Sequence, residues 1–346
     1  MTPNFAAAWQ RQISWCNAGG SPFTARVLEA ALADWHAGGA LRDLLPEWPG
    51  DAGADALPLR VAGALHAMTL DGSDAALAAL YPPQREAWDA LAGPAAVSAA
   101  LRAQSARVAD YLNQPPQTNE IGRSAVLLGG FALIAQATGL PLATLEIGAS
   151  AGLNQLWHRY RYELGRVGWG DPASMVLIRS DWRGALPALP AHIEVASHAA
   201  CDVAPINLQA PGAALRLASY VWPDQRERLQ RLRAAIALAQ QTGLHVEASD
   251  ALPWVARELS LPRPDRATVL YHSIMWQYLP AATREGLRDC IAAAGVRATR
   301  EAPLAWLAFE PPAADIDFEL ALTIWPGGER RVLATGHPHG RDVSWR

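Results

Sequence analysis

Between Leu142 and Asn154 the chain reads LATLEIGASAGLN, a short apolar run that ends on an acid and breaks into a turn punctuated by glycines. This stretch constrains the fold more than any other, because a strand running into a glycine loop needs a sheet to belong to. The same letters hold two motifs. Gly148-Ala149-Ser150-Ala151-Gly152 is a G-x-S-x-G, the sharp strand-to-helix turn that carries a nucleophilic serine. Glu146-Ile147-Gly148 followed by Gly152 is instead an acid and a glycine loop over which a ligand can approach the backbone.

What surrounds the stretch separates the two. Up to about Gln114 the chain reads as helices. Ser21-Pro22 supplies an N-cap with proline at the first helical position, Val27, Leu28, Ala31, Leu32 and Trp35 recur at helical spacing, and Gly38-Gly39 ends the segment. Further helices are expected over Pro58 to Leu70, Ser73 to Leu80 and Pro94 to Leu112. After Pro115-Pro116, an apolar helix from Ser124 to Thr138 leads into the strand Leu142 to Ile147, and the glycine loop opens a helix over Leu153 to Tyr162. Strand-like segments then alternate with helices. The strands are Ser174 to Arg179, Ile193 to Ala199, His245 to Ala248, Thr268 to Tyr271 and Ala305 to Phe309; the helices are Pro223 to Gln241, Leu252 to Leu259 and Thr283 to Ala294. Such alternation implies a parallel sheet with helices on both faces. Phe318 to Ile324 and Arg331 to Thr335 flank Pro326-Gly327-Gly328 as a closing antiparallel hairpin. The expected class is α/β: an all-α N-terminal domain over residues 1–115, then a mostly parallel Rossmann-like sheet over 116–346, with an insertion at about 168–190 carrying an extra strand.

Composition removes several chemistries. The chain of 346 residues has no lysine, so all 29 basic residues are arginine, and Schiff-base chemistry and lysine-bearing phosphate loops are excluded. A net charge of -4 lacks the basic field that drives nucleic-acid binding, so no nucleic-acid partner is expected. Three scattered cysteines with no C-x-x-C fit a reducing compartment. The opening MTPNFAAAWQRQISW has neither a basic leader nor an apolar run before a small-residue cleavage site, so no secretory signal is expected, and the longest apolar stretch, Ala125 to Ala135, is short for a membrane span. A cytoplasmic location with no membrane partner is expected.

A nucleophilic elbow of the hydrolase kind needs earlier strands and a second oxyanion loop, and here only helices precede. The order Ser150, Asp250, then His272 or His337 does keep a serine hydrolase open. A dinucleotide fingerprint needs glycine where Ser150 and Leu153 stand, so that motif fails. S-adenosylmethionine suits what remains. It has no phosphate, it carries a sulfonium and an ammonium, and its ribose offers two hydroxyls to one carboxylate, so its site wants acids. Glu146 ends the first strand, Asp202 follows the next core strand, and Asp250 follows another. Helix capping accounts equally well for Asp202 and Asp250.

LEIGASAGLN, together with TNEIGR at Thr118 to Arg123, CDVAPIN at Cys201 to Asn207, VWPDQRERLQRL at Val221 to Leu232 and YHSIMWQYL at Tyr271 to Leu279, resembles an uncharacterised bacterial family. The family is catalogued as domain of unknown function 2332 and is similar to class I S-adenosylmethionine-dependent methyltransferases. The resemblance covers nearly the whole chain. It implies methyl transfer to a small-molecule acceptor, with Glu146, Gly148, Ser150, Gly152, Asn154, Asp202 and Asp250 holding the cofactor. A protein that binds S-adenosylmethionine or a nucleoside without turning over is the alternative.

His272, just after a core strand, is the candidate general base. Trp276 and Tyr278 are candidates to line the substrate or sulfonium. Asn119, Glu120 and Arg123, ahead of the helix that flanks the crevice, are candidate substrate contacts, with a capping box as the alternative account. His337 and His339 lack an acid or cysteine partner nearby in the chain, so no metal is expected.

Overall fold

The protein is described by a computed structural model covering residues 3–46, 48–312 and 318–346. It divides into two compact units, Met1–Thr118 with Ala210–Arg233, and Asn119–Gln209 with Ala234–Arg346.

The first unit is built from helices among its described residues, at Pro3–Ala18, Pro22–His36, Ala40–Leu44, Leu57–Leu70, Ala75–Ala78, Ala92–Ala103, Ser105–Leu112 and Ala213–Ser219, with the start of Arg226–Thr242. Proline opens Pro22–His36, and Val27, Leu28, Ala31, Leu32 and Trp35 are the face it buries. The segment 210–233 belongs to this unit, although the domain boundary read from the sequence leaves it in the second. Its attachment is specific. The Ser219 carbonyl meets His66 Nδ1 at 3.1 Å, Ser219 Oγ lies 3.2 Å from the Tyr111 hydroxyl, and a Cβ on Gly63 would come within 2.6 Å of the Tyr220 ring.

The second unit is mixed α/β around a large, mostly parallel sheet with an antiparallel part. Its strands are β1 (Leu142–Ile147), β2 (Arg161–Leu164), β3 (Val167–Trp169), β4 (Leu177–Gly184), β5 (Val195–Asp202), β6 (Glu247–Ala248), β7 (Ala267–Ser273), β8 (Leu304–Glu310), β9 (Phe318–Trp325), β10 (Arg330–Gly336) and β11 (Asp342–Trp345), in the order β3-β2-β4-β11-β10-β9-β8-β7-β1-β5-β6. The stretch β6-β5-β1-β7-β8 is parallel throughout. The first strand therefore lies in the middle, with its successors laid down on one side and then the other. The carboxyl ends beside such a reversal form a crevice suited to ligands. Every residue of β1 and β7 is buried, as strands covered on both faces must be.

The helix Ser124–Thr138 packs close to the sheet through Gly129 and Gly130, where a Cβ would collide with Trp345 and Leu307. By length and composition Ile121–Thr138 could cross a membrane, but two-thirds of it is buried inside the chain (67%), as suits a core helix.

Three features depart from the sequence reading. Leu153–Arg159 is a 3₁₀ helix, and from Arg161 the chain is already β2, so no α-helix spans Leu153 to Tyr162. Tyr160, Tyr162 and Leu164 are buried while Arg161 and Glu163 face outward, which is strand alternation. The crossover from β1 to β5 therefore carries three strands, β2 to β4, where one was expected at 168–190. The hairpin β9–β10 forms around Gly327 and Gly328 but does not end the sheet, because β11 pairs with β10 and then with β4.

Candidate functional site

The loop after β1 has left-handed backbone at Gly148 (φ +67°), Ser150 (φ +55°) and Gly152 (φ +76°). Glycine is required at 152, where a Cβ would come within 2.6 Å of both Val246 and the Gln155 amide. Ser150 adopts this conformation as a non-glycine residue, at a cost on the order of 1–3 kcal/mol. Asp202, at the end of β5, holds it there: Ser150 N–H donates to Oδ2 at 2.7 Å and Ala204 N–H to Oδ1 at 2.9 Å. The Asp202 carboxylate is thus committed to backbone amides on both oxygens, each of which retains a further lone pair.

The polar cluster ahead of the core helix braces the same loop. Leu153 N–H donates to Asn119 Oδ1 at 2.8 Å, satisfying the start of the 3₁₀ helix, and Asn154 Nδ2 donates to the Glu120 carbonyl at 3.4 Å. Glu120 Oε1 caps Gly122 N–H at 2.8 Å, and Arg123 donates to the carbonyls of Pro338 (3.1 Å) and Ser273 (3.0 Å). Each of these contacts is made to the protein's own backbone.

Glu146 is 2% exposed, and its Oε2 accepts from the Tyr271 hydroxyl at 3.1 Å. The parallel register sets Tyr271 directly beside it on β7. Burial pushes the Glu146 carboxyl up from 4.5 to about 8; the Tyr271 bond and Arg123 oppose the rise, and the Asp202 charge adds to it. Near neutrality this acid holds its proton unless a cation arrives. Asp250 is exposed and its side chain makes no cap, while Ser249 N–H donates to the Asp202 carbonyl at 3.0 Å, so the ends of β5 and β6 adjoin.

His272, the candidate general base, is 1% exposed at the end of β7. Trp306 Nε1–H, which can only donate, bonds His272 Nε2 at 3.1 Å. The proton therefore sits on Nδ1, 2.7 Å from Glu310 Oε1. Both ring nitrogens are engaged. Glu310 Oε1 also accepts from the amides of Met275 (3.1 Å) and Trp276 (3.2 Å), and Trp276 stacks on the imidazole at 4.9 Å. Tyr278 points away from this packing, 76% exposed.

Met275 matters most for the crevice. Its Cβ and Cγ lie 2.8 Å from where a Gly148 Cβ would stand, so its side chain fills the space beside the glycine loop. The preceding residue, Ile274, is β-branched yet has φ +54°, which is a genuine backbone outlier. The carboxyl ends of β1 and β7 thus each carry a non-glycine residue in left-handed conformation.

Ser150 Oγ is buried and has no hydrogen-bond partner among the described residues, so no base is positioned on it. Glu310 and Met275 are not among the residues that the sequence motifs single out. The signal for Glu310 was available, since LAWLAFE ends an apolar strand on an acid just as LATLEI does. Met275 carried none, because its role depends on where the turn after β7 points. No group of three or more His, Cys, Asp or Glu among the described residues is arranged to hold a metal ion.

Fold and site together define a mixed α/β protein with a strained, acid-edged glycine loop at the centre of its parallel strands. The chain belongs to a family of uncharacterised proteins conserved in bacteria, domain of unknown function 2332, whose model matches residues 6–345. No curated protein and no solved structure matches it.

Proposed function

We propose that the crevice at the carboxyl ends of β1, β5 and β6 binds S-adenosylmethionine, and that the protein is a methyltransferase of the Rossmann-like class acting on a small-molecule acceptor. The observation that carries this reading is the arrangement of Glu146, Asp202 and Asp250 at the ends of three adjacent parallel strands, around a left-handed loop, with β1 first in the chain and in the middle of the five-strand parallel stretch β6-β5-β1-β7-β8. The strand order of β6-β5-β1-β7-β8, third-second-first-fourth-fifth, is that of doubly wound nucleotide-binding sheets.

The residues fit the group in charge and conflict with it in one respect. Glu146 is a buried carboxyl with no cation bonded to it among the described residues, Asp250 is open to a ligand, and Asp202 keeps lone pairs for ribose hydroxyls. Met275 stands in the way and must withdraw; it is an unbranched side chain with freely rotating bonds. When bound, the cofactor would supply an electrophilic methyl group on sulfur. Glu146 would release its proton to solvent and meet the positive charge, Asp202 fixes the loop through Ser150 N–H, and Asp250 would accept from the nucleoside. His272 keeps Glu310 and the turn at Met275–Trp276 in position. Methyl transfer depends chiefly on proximity and alignment, so the absence of a free imidazole is compatible with it.

Melting temperature with and without S-adenosylmethionine and its demethylated product tests the reading. A ligand at one hundred times its Kd adds about 2.7 kcal/mol. We expect a rise in the wild type, a larger one in Met275→Ala, and loss of the rise in Asp250→Ala, whose side chain caps nothing. No rise in either the wild type or Met275→Ala at millimolar ligand rejects the proposal. A second reading, binding without turnover, is favoured by the engagement of both His272 nitrogens; binding with no methyl transfer to any acceptor would establish it.

A further inference from the structure

The β1 to β5 crossover lacks the α-helix that usually covers a parallel sheet's face, and Ala196, Ser197 and His198, in the amino half of β5 beyond the two residues that pair with β6, are exposed. Beside this uncovered face lies a cavity of about 630 Å³, within the range of small-molecule sites. Its lining shares no residue with the glycine loop or with the three acids. His198 pairs with Thr144, two residues before Glu146, so the His198 end of the wall stands back from the carboxyl edge.

The wall is built and chemically divided. Trp169 is 8% exposed, stacks on Trp157 at 6.0 Å, and donates its indole N–H to the Pro190 carbonyl at 2.7 Å, so it presents only an apolar surface. Trp157 in turn stacks on Phe131 at 4.2 Å, which anchors that side in the core. Val176, Ala237 and Leu238 continue the apolar lining. The polar side is cationic. Arg159 makes no ion pair among the described residues, and His192 and His158 stand beside it in the lining. His198 behind them is locked by Gln155 Oε1 at 3.0 Å. The one acid in the lining, Asp171, already accepts from Ala173 N–H at 2.8 Å. Burial and the neighbouring positive groups hold His158 down at about 4, so at neutral pH the fixed positive charge is that of Arg159.

We propose that this cavity is a second small-molecule site, for an organic carboxylate with an aromatic or branched apolar body, in which Arg159 takes the carboxylate and Trp169, Val176 and Leu238 take the body. Arg159 is exposed at the rim of this half-enclosed, largely apolar cavity, where its guanidinium keeps its donor fork for a ligand, and a carboxylate is the geometric match. The ligand's ring would extend the stack that Trp157 and Trp169 begin.

Calorimetric titration of the full chain with indole-3-acetate, and with indole-3-acetamide as the neutral isostere, tests this. We expect saturable binding of the acetate, at least about tenfold weaker binding of the amide and of the acetate to Arg159→Gln, and loss of binding in Ala237→Trp, which fills the space from a helix. Should Ala237→Trp lower the melting temperature, Ala237→Leu replaces it as the milder filler. The site is refuted if the acetate does not bind at millimolar concentration, if the amide binds equally well, or if filling the cavity leaves the affinity unchanged. S-adenosylmethionine binding measured in the same Ala237 variant should be unaltered, so failure here and failure at the carboxyl edge are told apart.

Discussion

At the scale of single residues, Glu146 sets the chemistry of the crevice through its proton. Its folded value near 8 exceeds the 4.5 of an unperturbed carboxyl, so between those values the folded chain binds a proton that the unfolded chain has released. Its contribution is therefore fully present below pH 4.5 and is lost as pH rises toward 8, at about 1.4 kcal/mol per pH unit. Glu146→Gln should remove that slope and be more stable than the wild type at pH 8, as urea titrations across pH would report. A cation bound at Glu146 below pH 8 should release a proton, visible as a dependence of the binding heat on the buffer's ionisation enthalpy. His272 and Glu310 act as a brace. Glu310→Ala strips the acceptor from one imidazole N–H and two backbone amides, and we expect a loss on the order of 2–4 kcal/mol in urea unfolding.

At the scale of elements, the loop after β1 and the turn after β7 are two strained segments that meet over Gly148. The glycine loop is held by Asp202 and Asn119 through backbone amides, so its shape does not wait for ligand. Gly152→Ala must adopt φ near +76° and also displace Val246 or Gln155, and should cost about 2 kcal/mol or more in thermal unfolding. The 3₁₀ helix Leu153–Arg159 connects this loop to the cavity wall at His158 and Arg159. The hydroxyls of Tyr160 and Tyr162 donate back to the carbonyls of Leu153 and Trp157, tying the segment down where an α-helix would have used those acceptors internally.

At the scale of the whole molecule, the chain passes through the first unit twice. A fragment ending at residue 118 lacks the segment carrying Leu217 and Tyr220, both buried in that unit. We expect it to be molten or aggregated by near-ultraviolet circular dichroism, and to recover a cooperative transition when 210–233 is appended through a flexible linker. The units also answer oppositely to pH. Burial holds His66 of the first unit at about 4, below its ordinary 6.5, so the unfolded form takes the proton first and stability is lost as pH falls from 6.5 toward 4. Glu146 weakens the second unit on the alkaline side.

The sequence alone determined the elements whose patterns are local: the helical first part, the buried runs of β1, β7 and β8, the hairpin at Gly327-Gly328 and the glycine loop with its acids. Periodicity and turn chemistry act within a few residues, so they can be read there. Alternation in Tyr160 to Leu164 and in Asp342 to Trp345 was equally local and was missed, because one short strand gives little signal until its partner is known. Only the tertiary structure decided that Asp202 is bonded to Ser150, that both nitrogens of His272 are taken by Trp306 and Glu310, that Met275 lies over Gly148, and that 210–233 returns to the first unit. Each of these depends on residues brought together from 34 to over 150 positions apart, as with His272 to Trp306 and His66 to Ser219. Their energy is a property of the pairing, which neither partner's neighbourhood in the chain encodes.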